Sequence, residues 1–232
     1  ATVAECLVEY VGYSKLADAI RAGKDPHQIM GAQLCSQPLD AFEAAYRGDL
    51  GAEAQAFAEG QRQIAKVPNF GLPGGLGVAR FVDFAWSGYG LRLTEARASE
   101  IREAWRAAWP EFREYFARAA RMADFGEPVV ALRTGRVRGT TKYTEICNTP
   151  FQGLGADVAT SAWFEVMYEA ECVESSDLYG SRVVLFAHDE LVTEAPASRA
   201  AEAAERQTEI MRAAGRALLD HVPLDSSPVL CA

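Results

Sequence analysis

Positive charge is in deficit along this chain: 23 lysines and arginines face 32 aspartates and glutamates, for a net charge of −9. That balance excludes a protein that coats nucleic acid by bulk charge, so any contact with nucleic acid has to be local. Long apolar runs are missing too. No stretch approaches the ~18 residues that cross a bilayer, and Ala1 to Glu9 lack the basic-then-apolar pattern of a secretory signal. The expectation is a soluble intracellular chain with no membrane partner. Cysteine is sparse and unpatterned. Cys6, Cys35, Cys147, Cys172 and Cys231 are odd in number and fall in no CxxC or Cys/His grouping, which argues against a zinc site and predicts reduced, mostly buried thiols. Repeats and low-complexity linkers are absent as well. What remains, 49% hydrophobic and 24% charged over 232 residues, is the composition of a globular protein that forms one large domain or two parts of a larger one.

An Ala/Glu/Arg-rich first half gives way to a mixed pattern after about residue 125. The spacing predicts helices over 14–22, ending at Gly23, and over 26–35, with Pro26 in the first turn after Asp25. Two more follow, over 38–48 and 52–67. Thr94–Met122 carries Ile101, Trp105, Trp109, Phe112 and Phe116 at three- and four-residue intervals, a core-facing aromatic stripe that Pro110 should kink or divide. Val129–Leu132 and Val137–Thr141, around Thr134-Gly135, read as a small hairpin. Arg133, Arg136, Arg138 and Lys142 fall here with no acid among them, either a local positive patch or a solvated hairpin. Residues 153–173 read as a helix packed through Trp163, Phe164 and Met167. Arg182–Ala187 reads as a buried strand and Leu191–Glu194 as its partner, so His188-Asp189-Glu190 sits at a hairpin tip; Pro196 and Ser198 then open an Ala-rich helix reaching about His221. The fold class is α/β, predominantly helical.

Three constellations could carry chemistry. Arg62, Lys66 and Phe70 are spaced by four, which stacks two cations and a ring along one helical face. Such a face suits a nucleoside triphosphate, with the cations on the phosphates and the ring against sugar or base; it is also what a solvated row beside a core Phe looks like. Pro68 bends or ends that helix nearby. The glycines at 71, 74, 75 and 77 follow a helix instead of a strand, which excludes a dinucleotide fingerprint. Asp189 and Glu190 place two carboxylates at one turn, where a hard divalent cation would offset their repulsion; a polar turn is the plainer reading. Asn148 and Gln152 lie four apart just before a helix and could read minor-groove acceptors or cap that helix.

Taken in order, Arg62-x3-Lys66-x2-Asn69-Phe70-Gly71, then Asn148-Thr149-Pro150-x-Gln152-Gly153-x2-Ala156-Asp157, then His188-Asp189-Glu190 resembles the later motifs of family A DNA polymerases, those like DNA polymerase I. Lys24-Asp25-Pro26-His27 matches the Asp-x-His that precedes the nucleotide-binding helix in that family. The endings Phe70-Gly71-x-Pro73-Gly74-Gly75 and Cys147-Asn148-Thr149-Pro150-Phe151-Gln152 look most like the bacteriophage branch, and the likeness covers nearly the whole chain.

That resemblance implies helical fingers over 1–125, with the nucleotide-binding helix at about 60–70, and a partial palm over 126–232. It implies that His27, Arg62 and Lys66 contact the phosphates of an incoming dNTP, that Lys66 donates a proton to the leaving pyrophosphate, and that Phe70 lies by the sugar. Asn148, Gln152 and His188 would touch primer–template DNA, with Arg136 and Arg138 holding DNA phosphates. Asp189 would bind catalytic Mg²⁺ with Glu190 in support, in a two-metal site whose other aspartate belongs to an Asp-Tyr-Ser-x-x-Glu motif expected immediately before Ala1. Where most relatives carry Tyr after the Phe-Gly pair stands Gly74, and where many carry Arg four residues before the first amide stands Thr144.

The functional expectation is therefore the C-terminal portion of a split or truncated DNA-directed DNA polymerase, a nucleotidyltransferase of DNA replication in a bacterial host's cytoplasm. A second polypeptide, or the missing N-terminal part of the same gene product, would carry the thumb and the first palm motif. The alternative is a non-catalytic nucleic-acid- or partner-binding module derived from a polymerase.

Overall fold

Side-chain caps and chain breakers set most of the boundaries in the computed structural model, which describes residues 1–139, 142–188 and 190–230. Thr140, Thr141, Asp189, Cys231 and Ala232 lie outside the described residues. The chain divides into two compact units: Cys6–Val129 with Val137–Thr149, and Ala1–Glu5 with Val130–Arg136 and Pro150–Ala232. Helix predominates, with two small antiparallel hairpins, as the composition and spacing led us to expect. No described helix is long and apolar enough to cross a membrane.

The first unit holds most of α1 (Thr2–Val11), then α2 (Lys15–Arg21), α3 (Pro26–Leu34), α4 (Leu39–Tyr46), α5 (Ala52–Gly71), α6 (Val78–Tyr89), α7 (Glu95–Ala108) and α8 (Phe112–Phe125). Ser14, Asp25 and Thr94 cap α2, α3 and α7 through their side-chain oxygens, each satisfying an amide that the helix itself leaves without a partner. α6 was not foreseen. α5 runs four residues beyond the expected 67, through Pro68, because a proline in the last turn forfeits only one ladder bond. Trp109-Pro110 divides α7 from α8 as expected, and Ile101, Trp105, Trp109 and Phe112 are all buried. Trp105 and Phe112 pack with ring centroids 4.4 Å apart. Gly31 lets α3 press against α4, since a Cβ there would stand 2.7 Å from the Phe42 ring, and Gly71 does the same for Phe84 of α6. Beside Pro110, the buried Glu111 carboxylate accepts from the Ser14 hydroxyl (2.9 Å) and the Leu16 amide (3.0 Å), tying the α7–α8 corner to the start of α2.

The small hairpin consists of β1 (Val129–Val130) and β2 (Val137–Arg138), closed by an Ala131 amide to Arg136 carbonyl bond of 2.8 Å. It is shorter than predicted, and the expected end at Thr141 falls outside the described residues. α9 (Tyr143–Cys172) starts ten residues earlier than the sequence suggested, because Pro150 is tolerated inside it.

In the second unit α9 buries Leu154, Val158, Ala162, Val166 and Ala170, a strict four-residue stripe. The expectation that Phe164 and Met167 pack inward is corrected: Phe164 is 65% exposed and stacks on Tyr168 along the outer face. The small alanines, not the large rings, face the core here, so the largest side chains misled the assignment. β3 (Arg182–Ala187) and β4 (Glu190–Glu194) pair from Ala187↔Glu190 to Arg182↔Glu194, with an irregularity at Val184. β3 is not the buried strand its composition predicted. Val184 and Leu185 are about half exposed, because only two described strands form this sheet and Trp163 stacks on Phe186 alone. A short 3-10 turn (Ala197–Arg199) leads into α10 (Ala200–Leu218), whose Gly215 admits Leu224 to close contact.

Glu5 anchors this unit's termini. It is fully buried and accepts from the Asp220, His221 and Val222 amides (2.8, 2.9 and 3.1 Å) and from Arg133 (3.0 Å). Removing the carboxylate strands three amides and takes one of two acid partners from Arg133. Glu5→Ala is expected to lower the unfolding free energy by about 3–5 kcal/mol, read from urea denaturation.

Candidate functional site

α5 presents the row its spacing promised. Arg62 and Lys66 are half-buried, and Phe70 one turn further on is 58% exposed, which removes the reading of this ring as core. Opposite them stands the N-terminus of α3. Asp25 caps it by accepting from the His27 amide (2.7 Å), and its other oxygen takes the Arg62 Nε at 2.7 Å. Arg62 also lies 5.6 Å over the Tyr46 ring. The His27 ring lies 5.2 Å from that of Phe70. Asp25 thus neutralises Arg62 and fixes where it points, while no carboxylate pairs with Lys66 among the described residues. The His27 pKa falls below its ordinary value, first through burial and then through the Arg62 and Lys66 charges, with Asp25 opposing. Three nitrogen groups and a ring therefore face one locality, an arrangement that suits an anion with an attached flat or apolar part.

Asn69 is the residue whose part sequence reasoning missed. Its amide nitrogen donates to the Pro26 carbonyl (3.0 Å) and lies 3.1 Å from His27 Nδ1, while its oxygen accepts from the Trp105 and Trp109 indoles at 3.1 and 3.2 Å. Asp25 is legible in the sequence as the residue before α3 and as the acid of the Asp-x-His motif, without its ion pair to Arg62. The signal was present in both cases, a polar residue adjoining the cationic row and an acid two residues before the histidine, but only the fold shows that they meet.

Asn148 and Gln152 lie within α9 instead of ahead of it, so neither caps a helix start. The Asn148 amide donates to the Thr144 carbonyl (2.8 Å) and more weakly to that of Gly74 (3.4 Å). Gly74 leaves the room for it, since a Cβ there would stand 2.6 Å from Asn148 Nδ2. Gly75, at φ +74°, sits against Tyr143 and Cys147 in a conformation that disfavours any side chain. Burial pushes the Cys147 thiol up to about 11, so it is protonated and unreactive at neutral pH. Gln152 is exposed.

At the β3–β4 tip His188 is exposed with φ +57°, a conformation non-glycine residues take in tight hairpins, and Glu190 is exposed at the start of β4. Asp189, the residue expected to hold a metal, lies outside the described residues. The three arginines of the basic stretch are neutralised locally. Arg133 pairs with Glu5 and Asp220, Arg136 with Asp157, and Arg138 lies 3.7 Å from Glu145 while donating to Thr149 (3.0 Å). The Arg136 and Arg138 side chains nonetheless remain more than half exposed.

The Gly74–Asn148 contact makes a direct prediction. Gly74→Ala should cost about 1–3 kcal/mol of stability, and combining it with Asn148→Ala should recover part of that loss in a double-mutant cycle read by urea denaturation.

Comparison with known proteins places these elements. Residues 5–228 match the family described as DNA polymerase family A. The chain is similar to DNA polymerase I of Aquifex aeolicus, at 26% identity over 223 residues, 96% of this chain and 36% of that protein. It is also similar to DNA polymerase I of Deinococcus radiodurans, at 26% over 176 residues, 70% of this chain and 17% of that one. Among solved structures, the POL domain of Pol1 from M. smegmatis, in complex with DNA primer-template and dNTP, shares the fold with a TM-score of 0.69 at 20% identity, over 97% of this chain and 37% of that one. The chain thus spans little more than a third of the first of these relatives. With the motifs in family order and the family match running almost end to end, the chain belongs to DNA polymerase family A.

Proposed function

We propose that this chain supplies the nucleotide-handling part of a template-directed DNA polymerase of the bacteriophage type, with fingers over 1–125 and part of the palm over 126–232. The observation that carries the reading is the α5 row: a half-buried Lys66 with no described acid beside it, an Arg62 held by Asp25, and an exposed Phe70. Cations fixed on a rigid helix suit the phosphates of a dNTP, and the exposed ring suits its sugar. His27, Arg62 and Lys66 hold the triphosphate, and Lys66 delivers a proton to the pyrophosphate as it leaves. Gln152, His188, Arg136 and Arg138 touch primer–template DNA, with Asn148 beside the growing end once its own carbonyl contacts are exchanged for it.

The β3–β4 tip fits a hard divalent cation by the chemistry of its donors. Glu190 is exposed there, next in sequence to Asp189, and pairs with Ala187 at the end of the strand ladder. Asp189 would hold Mg²⁺ with Glu190 in support. When bound, Mg²⁺ would neutralise the triphosphate and lower the pKa of the primer 3′-hydroxyl. Two-metal chemistry needs a second palm carboxylate and a thumb to hold the duplex. We place these on a polypeptide, joined to this one or separate, that works with it in a bacterial cytoplasm.

One observation favours a second reading. The Asn148 amide is engaged by backbone carbonyls and the hairpin arginines by acids, as in a module that binds a partner without turnover.

Primer extension by this chain together with polypeptides carrying the second palm carboxylate motif separates the two. The polymerase reading expects extension that Asp189→Ala abolishes while duplex binding survives, and Phe70→Tyr should raise incorporation of dideoxynucleotides. Duplex binding that ignores dNTP and Mg²⁺, with no extension from any partner, supports the second reading.

A further inference from the structure

We infer that Asn69 is a positioning residue that decides which nitrogen of His27 carries the proton, making the imidazole a neutral Nε2–H donor toward a triphosphate oxygen. The ligand in this statement rests on the function proposed above; the tautomer rests on hydrogen-bond accounting alone.

A carboxamide has two acceptor sites on oxygen and two donors on nitrogen, and Asn69 uses all four. An indole nitrogen can only donate, so the atom facing Trp105 and Trp109 has to be the oxygen. The Pro26 carbonyl can only accept, so the atom facing it has to be the nitrogen. Three one-way partners fix the amide's orientation, and the reversed amide would set N–H against two indole N–H groups and oxygen against a carbonyl. With Nδ2 pinned, its second hydrogen points at His27 Nδ1, 3.1 Å away. Nδ1 must then offer a lone pair, and the proton of the neutral ring resides on Nε2. An imidazolium would set Nδ1–H against the Asn69 N–H and lose the bond.

The charged groups acting on His27 are Asp25 on its own element and Arg62 and Lys66 on α5. Burial and the two cations oppose protonation, Asp25 favours it, and the net direction is downward, in agreement with a ring held neutral. Neutrality has a use beside Lys66. The site gains a directional Nε2–H donor, and a third charge is disfavoured in a half-buried cluster.

The test is ¹⁵N imidazole NMR of the full chain, whose three histidines are assigned with His27→Gln, alongside binding of dATP with Mg²⁺. Wild type should show a pyridine-like Nδ1 and a pyrrole-like Nε2 at His27, titrating below 6.5. Asn69→Asp offers a carboxylate to Nδ1–H and should raise the titration midpoint above wild type. Asn69→Ala should mix the tautomers and weaken dATP binding about three- to tenfold, the value of one misdirected hydrogen bond. Circular dichroism checks that each variant is folded, and the wild-type spectrum decides the tautomer without any variant. A wild-type Nδ1–H or mixed tautomer overturns the inference, as does an Asn69→Ala ring that titrates and tautomerises like wild type. If the NMR follows expectation and wild type binds no dATP, the triphosphate reading falls and the control of the tautomer by Asn69 stands.

Discussion

One carboxamide holds the site together. Asn69 joins the start of α3, the cationic face of α5 and the indoles at the end of α7 through four hydrogen bonds, each with a net worth of about 1 kcal/mol. Their larger effect is geometric. Because three of the four partners, the two indoles and the Pro26 carbonyl, can act in one direction only, the amide is fixed in orientation and resists sliding of α3 along α5. The Asp25–Arg62 pair adds a second tie between the same helices, while Gly31 and Gly71 let α4 and α6 close onto them. A row of cations on a helix is common. A row whose neighbours are locked in orientation is what an anion site requires.

The electrostatics follow the same economy. A chain of net charge −9 cannot attract polyanions generally, and basic side chains such as Arg136 and Arg206 are paired with acids close by. Even Arg62 is paired, though with an acid that fixes its position while it remains half-buried. Lys66, one turn further along α5, has no described acid alongside. Two cations, one of them without a described acid, thus stand on one face of α5, and burial together with these charges disfavours a third charge on His27.

How much of this was legible in the sequence depended on how local the physics was. Asp25-Pro26 announced α3, Pro110 announced the break after α7, and the four-residue spacing of Arg62, Lys66 and Phe70 was enough to put them on one face. The family could be read because its motifs keep their order. What failed was whatever depended on partners distant in the chain. The hydrophobic composition of β3 predicted burial, yet a sheet of two described strands leaves Val184 and Leu185 open, and Phe164 yields the core face of α9 to smaller residues. Asn69 could be read as part of a motif but not as a hub, since its two indoles stand 36 and 40 residues away and were visible in the sequence only as apolar surface.

The most direct test of this account is a crystal structure of the chain with a deoxynucleoside triphosphate bound. The account predicts phosphate oxygens within hydrogen-bond distance of Lys66, Arg62 and His27 Nε2, with Phe70 against the sugar. A triphosphate seated elsewhere, with the α5 row turned to solvent and untouched, would contradict it.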